Sequence, residues 1–113
     1  MLNDWPQMLQ NNRKAAKRLA DSNPGMMQAF QGLNAAQGSN GALDPKMREI
    51  VALAVAVTTR CDSCIAAHAA AARKAGVTEA ELADALGTAI ALNAGAAYAY
   101  SVRALDALSQ FEG

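Results

Sequence analysis

The fold of this chain depends on the segment DPKMREIVALAVAVTTRCDSCIAAH, residues 44–68. Its opening is typical of a helix start, because Asp44 can cap the first turn and the proline after it fits the first helical position. Apolar residues then recur at helical spacing up to about Thr58. We therefore predict a helix over this part, a tight join at Thr59-Arg60, and a second helix that carries both cysteines.

Within this segment, every residue from Ile50 to Val57 is apolar. Such a run is also compatible with a buried strand. The proline start, the alanines and the absence of a second strand-like segment favour a helix. The run is far shorter than the roughly 20 residues that a membrane-spanning helix needs, so we interpret it as part of the core.

The composition favours a small protein of closely packed helices. The chain has 113 residues, of which 52% are apolar but only 4% aromatic. We predict one all-α domain over residues 1–113 with about six helices, in which residues 45–108 form the core region and residues 4–38 an N-terminal helical pair. Ten basic residues balance ten acidic ones, so we expect neither nucleic acid nor a membrane surface as a partner.

Local signals predict the first two helices. Asp4 can cap the first helix, and Asn23, which a proline follows, can cap the second. In the second helix, we expect the apolar side chains of Met26, Met27, Phe30 and Leu33 to face inward.

The C-terminal part is predicted to form two further helices. Residues 78–81 have the sequence of a capping box that opens a helix, and we expect Asn93-Ala94-Gly95 to interrupt that helix. The last helix then has apolar or small residues nearly all round its first two turns. This pattern predicts a subunit interface and therefore a homo-oligomer.

The first residues, Met1–Pro6, do not have the basic region and apolar core of a signal peptide. We therefore expect a cytoplasmic protein. In that reducing compartment, two cysteines three residues apart are more typical of redox or metal chemistry than of a structural disulfide.

Cys61, Cys64 and His68 share one face of their predicted helix, because three and four residues separate them. Cys61 lies at the helix start, where the helix dipole favours a thiolate. Cys64 lies one turn further along and within reach of His68, which can accept its proton. The residues alone leave open which cysteine is the nucleophile.

Glu49, twelve residues before Cys61, is the fourth candidate. If the two helices form a hairpin, its carboxylate can orient His68 in a carboxylate–imidazole–thiol chain. It can equally lie on the polar side of its helix with Lys46 and Arg48. The two cysteines, the histidine and this glutamate also match the number of ligands of a zinc site, but the second C-x-x-C that is usual in structural zinc sites is missing. We therefore predict neither a metal nor a cofactor.

At these residues the chain resembles the alkylhydroperoxidase D-like branch of the carboxymuconolactone decarboxylase superfamily. Glu49, the twelve-residue gap, the Cys61-x-x-Cys64 pair and His68 match that family's proton-relay glutamate, redox cysteines and relay histidine. The likeness covers about residues 45–108. It implies an all-α fold in which a helical hairpin carries the site, assembled as trimers or hexamers.

The resemblance also implies a role for each residue. Cys64 attacks a peroxide and becomes a sulfenic acid, Cys61 resolves it into a disulfide, and an external thiol or dithiol reduces the pair again. Ser63 departs from the pattern, since well-characterised members carry a histidine between the cysteines and a hydroxyl cannot act as a base near neutral pH. A general thiol–disulfide oxidoreductase that acts on disulfide substrates is therefore a variant of this hypothesis.

The leading hypothesis is thus a thiol-dependent peroxidase that reduces organic hydroperoxides through a C-x-x-C cycle. One alternative is a cofactor-free decarboxylase of the carboxymuconolactone type, against which the two cysteines count. Another alternative is a non-enzymatic module that senses redox state or assembles around zinc.

Overall fold

The computed structural model describes residues 2–113, and all regular elements among them are α-helices. The helices are α1 (Trp5–Ser22), α2 (Pro24–Ala35), α3 (Pro45–Thr59), α4 (Asp62–Lys74) and α5 (Glu79–Ser109). The all-α prediction is confirmed. The number of helices in the described part of the chain is five, so the prediction of about six was slightly wrong.

The difference arises in α5, which continues through the predicted interruption at residues 93–95. The side-chain amide of Asn93 donates a hydrogen bond to the backbone carbonyl of Ala89, one turn earlier, and so fits within a regular helix. Gly95 costs about 1 kcal/mol relative to alanine in a helix interior. That cost is too small to break a helix rich in alanine.

The first three helices start where the sequence predicts. Asp4, Asn23 and Asp44 each accept a hydrogen bond from a backbone N–H in the first turn, and a proline stands in that turn each time. Each cap satisfies a donor that has no partner inside the helix and typically contributes about 1 kcal/mol.

Two left-handed residues bracket α4. Arg60 (φ 54°) ends α3, and the amides of Arg60 and Cys61 donate to the carbonyls of Val57 and Ala56. Gly76 (φ 88°) has the same pattern of hydrogen bonds after α4. Both ends are Schellman motifs, in which the chain turns sharply while the last carbonyls stay paired. The predicted tight join between α3 and α4 is therefore confirmed.

The centre of the N-terminal part is the hairpin of α3 and α4. Helix α1 packs against α4, and α2 packs against α1. The buried apolar side chains are Leu53, Ala56, Ala66, Ala72 and Val77. Four of the five lie on the two hairpin helices, and the small alanines let these helices approach closely.

The inward orientation predicted for α2 was wrong for three of its four residues. Met26, Phe30 and Leu33 are all more than half exposed, whereas Met27 is half-buried. Helical spacing identified an apolar stripe correctly, but only the packing of other elements decides whether such a stripe is covered.

The chain divides into two compact units, of which one ends at Thr78 and the other spans Glu79–Gly113. The single domain over residues 1–113 therefore stays a prediction. Taken by itself, the second unit is the long helix α5 with a short tail, and all its residues from Ile90 onward are exposed. Within residues 2–113, the helices lack the combination of length and apolar character that a membrane span requires.

Candidate dithiol site

Cys61 and Cys64 are joined by a disulfide at the start of α4, with their Cα atoms 5.2 Å apart. Cys61 is the N-cap residue and Cys64 lies in the first turn. The structure therefore describes the oxidised state of the pair. The distance between the Cα atoms lies within the range usual for disulfides, so the bond fits within the helix start.

The two sulfurs have different surroundings. The backbone N–H of Cys64 donates a hydrogen bond to Sγ of Cys61 over 3.2 Å. In addition, the amino end of α4 is directed at Cys61, so both the local hydrogen bond and the helix dipole favour negative charge on its sulfur. The side chain of Cys61 is half-buried, whereas Cys64 is exposed. Cys64 is thus the more exposed of the two residues.

His68 and Glu49 form a direct contact across the hairpin. Nδ1 of His68 lies 2.7 Å from Oε2 of Glu49, and the two side chains are only 28% and 18% exposed. With an ionised carboxylate, which can only accept a hydrogen bond, Nδ1 of His68 is the donor in this pair and Nε2 is left to exchange a proton. The sequence left open whether Glu49 faces His68, and the structure places them together.

A pocket of about 300 Å³ lies beside the disulfide. Cys64 and His68 contribute to its wall, but Cys61 and Glu49 do not. The remaining lining residues are Gln37, Arg48, Val51, Ala52, Val55, Ala56 and Thr59. A small molecule in this pocket would therefore meet one sulfur of the pair and the imidazole, while the other sulfur and the carboxylate lie behind them.

Sequence reasoning did not place Arg48, Gln37 or Thr59 at the site. The available signal was the spacing of Arg48, Val51, Val55 and Thr59, which recur every three or four residues and so share a face of α3. That signal was hidden because the whole segment from Ile50 to Val57 is apolar and was interpreted as core.

The four residues considered as zinc ligands do not form a metal-binding cluster. Over residues 2–113, the structure contains no group of three or more His, Cys, Asp or Glu side chains arranged to hold a metal ion. Asp62 and Ser63, between the cysteines, are both exposed. The arrangement is suited to thiol–disulfide exchange, with a histidine–carboxylate pair one turn away.

Several known proteins are similar in sequence to this chain over most of its length. The model of the carboxymuconolactone decarboxylase family matches residues 24–107. An uncharacterized protein of Haemophilus influenzae is 57% identical over 109 residues, which is 96% of each chain. "Uncharacterized protein 4 in cox locus" of Paracoccus denitrificans is 38% identical over 85 residues, 75% of this chain and 77% of that protein. An uncharacterized protein of Cupriavidus necator is 34% identical over 94 residues, 80% of this chain and 83% of that protein.

The chain therefore belongs to the carboxymuconolactone decarboxylase family. The match begins at the first residue of α2, includes all four candidate site residues and ends close to the end of α5.

Proposed function

We propose that this protein is a cytoplasmic thiol-dependent peroxidase of the alkylhydroperoxidase D-like kind, which reduces organic hydroperoxides. One observation carries the proposal. Cys64 and His68 line the same pocket, and each is backed by a partner, Cys61 through the disulfide and Glu49 through the 2.7 Å contact. This arrangement provides a nucleophile, a resolving thiol and a group that can move a proton.

The oxidising step begins from the reduced pair. His68 accepts the proton of the Cys64 thiol at Nε2, and the thiolate attacks the terminal oxygen of the hydroperoxide. An S–O bond forms as the O–O bond breaks, the sulfur becomes a sulfenic acid, and the alkoxide leaves. The proton held by His68 passes to the alkoxide and gives the alcohol.

The resolving step closes the disulfide. Sγ of Cys61 attacks the sulfenic acid of Cys64, the S–S bond forms, and hydroxide leaves. The proton of the Cys61 thiol completes a molecule of water. An external dithiol then reduces the disulfide and is itself oxidised to a disulfide, while both cysteines regain their protons.

Proton transfer between Cys64 and His68 requires a contact that the oxidised structure does not contain. With the disulfide formed, the described residues 2–113 contain no hydrogen bond between the imidazole of His68 and either sulfur. Opening of the disulfide releases the Cys64 side chain to rotate toward Nε2, or a single water can bridge the two groups within the pocket.

The test is hydroperoxide consumption with a dithiol reductant, measured for the wild-type protein and for Cys64→Ser and Cys61→Ser. We expect Cys64→Ser to lose turnover. In the absence of the dithiol, Cys61→Ser should consume about one equivalent of hydroperoxide per chain and remain a sulfenic acid, because no other thiol of the chain can resolve it. Full turnover by Cys64→Ser would overturn the proposal. Activity on a carboxylated lactone that survives loss of both cysteines would instead support a decarboxylase.

We also propose that the protein works as a homo-oligomer, a trimer or hexamer. The support is the exposure of large apolar side chains along α5, which include Ile90, Tyr98, Val102, Leu105 and Leu108. Contiguous apolar surface of this kind is uncommon on proteins that remain monomeric.

A further inference from the structure

One lining residue of the pocket, Arg48, has a role that the redox chemistry does not use. Among the described residues that line the pocket, it is the only one with a permanent charge, since His68 is charged only when protonated. Its guanidinium donates one hydrogen bond, to the backbone carbonyl of Leu43 over 2.9 Å. Within residues 2–113, no carboxylate pairs with it. A guanidinium has five N–H donors, so most of its capacity remains unused.

The position of this guanidinium is fixed by the connector before α3. It lies so close to the backbone of Gly38 that a Cβ at that position would overlap with it. Gly38 has φ +72°, a conformation that glycine adopts without strain. Gly38 and Leu43 line a second pocket of about 400 Å³, and Arg48 contributes to the walls of both pockets. The contacts with Gly38 and Leu43 restrict the guanidinium where the pockets adjoin and reduce the entropy that it would lose on binding an anion.

The wall that α3 contributes to the pocket is apolar between its two polar ends. Val51, Ala52, Val55 and Ala56 line the pocket along one face of α3, between Arg48 at one end and Thr59 at the other. Eleven residues of helix correspond to about 16 Å along the axis. Thr59 stands directly before the join that leads to the cysteines. The pocket therefore presents a cation, an extended apolar surface and a reactive sulfur.

We propose that the pocket selects hydroperoxides that carry a carboxylate on an apolar chain, with Arg48 as the anion-binding residue. A fatty-acid hydroperoxide is the simplest member of this class. This inference rests on the proposed peroxidase function, which accounts for the hydroperoxide group of the substrate. Binding of the substrate's carboxylate depends on Arg48 alone. Arginine suits that role because its planar guanidinium can bind a carboxylate through two parallel hydrogen bonds.

The decisive comparison uses linoleic acid hydroperoxide and its methyl ester, which differ in the carboxylate charge and in one methyl group. We expect wild-type protein to prefer the acid by about tenfold in kcat/KM, the lower end of the range for a hydrogen bond to a charged group. Arg48→Met should remove this preference, mainly by raising KM for the acid, so that the ratio of kcat/KM for the acid to that for the ester falls to about one. Arg48→Lys should restore part of it.

A matched control is Arg18→Met, because Arg18 is exposed on α1 and does not line the pocket. It should retain the full preference for the acid. A role of Arg48 limited to holding the connector would lower activity on both substrates equally. If the ratio of acid to ester in Arg48→Met equals that of wild type, the inference is overturned.

A second measurement does not depend on turnover. Isothermal titration of the oxidised protein with decanoate, below the concentration at which it forms micelles, should show binding that Arg48→Met weakens by about tenfold. If neither hydroperoxide is consumed, the peroxidase proposal fails and this titration alone decides the role of Arg48. If decanoate binds wild type and Arg48→Met equally, the anion site is refuted whatever the activity.

Discussion

The contact between His68 and Glu49 determines, at the scale of single residues, which imidazole nitrogen can take part in chemistry. Oε2 of Glu49 lies 2.7 Å from Nδ1 of His68, and the two side chains are largely shielded from water. A hydrogen bond to a carboxylate in such a setting fixes both the orientation of the ring and the position of its proton. Nε2 is thereby kept as an acceptor beside the pocket.

Replacement of Glu49 by glutamine tests this effect on the proton relay. The amide has the same shape but can present either a donor or an acceptor to Nδ1, so the ring no longer has one fixed tautomer. We expect the rate of Cys64 oxidation by hydroperoxide to fall by about ten- to 100-fold, the range for loss of a hydrogen bond to a charged group. Stopped-flow measurement on the reduced protein gives this rate directly.

The same variant has a built-in control. Its rate of disulfide reduction by excess dithiothreitol should change little, because the reductant brings its own nucleophile. An oxidation rate equal to that of wild type would show that His68 does not need Glu49.

The site could be predicted from the sequence only as far as local spacing reaches. Three residues of one helix, Cys61, Cys64 and His68, were placed on a common face because helical geometry depends on spacing alone. Glu49 could not be assigned, since it comes from another helix whose rotation depends on the turn between them. Arg48 was missed for the same reason.

At the scale of helices, local chemistry determines where elements begin but not which face they bury. The starts at Asp4, Asn23 and Asp44 were predicted because a cap involves only residues three apart. In α3, by contrast, the whole apolar segment was expected in the core. The structure buries Leu53 and Ala56, whereas Val55 is 54% exposed and lines the pocket.

Because Arg60 has a left-handed conformation, its replacement by glycine is expected to stabilise the protein. A residue with a Cβ is strained at φ 54°, by roughly 1–2 kcal/mol relative to glycine. Part of that gain is lost because glycine makes the unfolded chain more flexible. We expect Arg60→Gly to raise the free energy of unfolding by about 0.5–1 kcal/mol, measured by urea denaturation of the oxidised protein.

The control for this prediction is Arg60→Ala. It removes the same charge and side chain but keeps the Cβ, so it should leave the strain in place and give no gain. Equal stability of the glycine and alanine variants would contradict the assignment of strain to this residue.

At the scale of the whole molecule, the main feature is the large apolar surface of α5. Every residue from Ile90 onward is exposed in the single chain, and these include two tyrosines, a phenylalanine and several aliphatic side chains. The sequence predicted an interface here because a helix that is apolar nearly all round is normally buried. A single sequence therefore predicts that this helix is buried, but it does not predict how many subunits assemble to bury it.

The oligomer is tested by light scattering coupled to size-exclusion chromatography. Wild-type protein should have three or six times the 11.7 kDa mass of one chain. Leu105→Glu should reduce this mass, because a charge buried in an apolar interface is strongly unfavourable. Ala107→Glu lies on the opposite face of the helix and adds the same charge, so it should have a smaller effect. A monomeric wild-type protein would refute the proposal.

The hydrogen bond from the Cys64 amide to the sulfur of Cys61 makes the two sulfurs of the disulfide unequal in thiol–disulfide exchange. In thiol–disulfide exchange the better leaving group is the sulfur that carries negative charge more easily. Here that sulfur is Cys61, and the other one faces the pocket. We therefore expect an incoming thiol reductant to form a mixed disulfide with Cys64 and to release Cys61 as the thiolate. The hydroperoxide and the reductant would then both react at the same sulfur, that of Cys64.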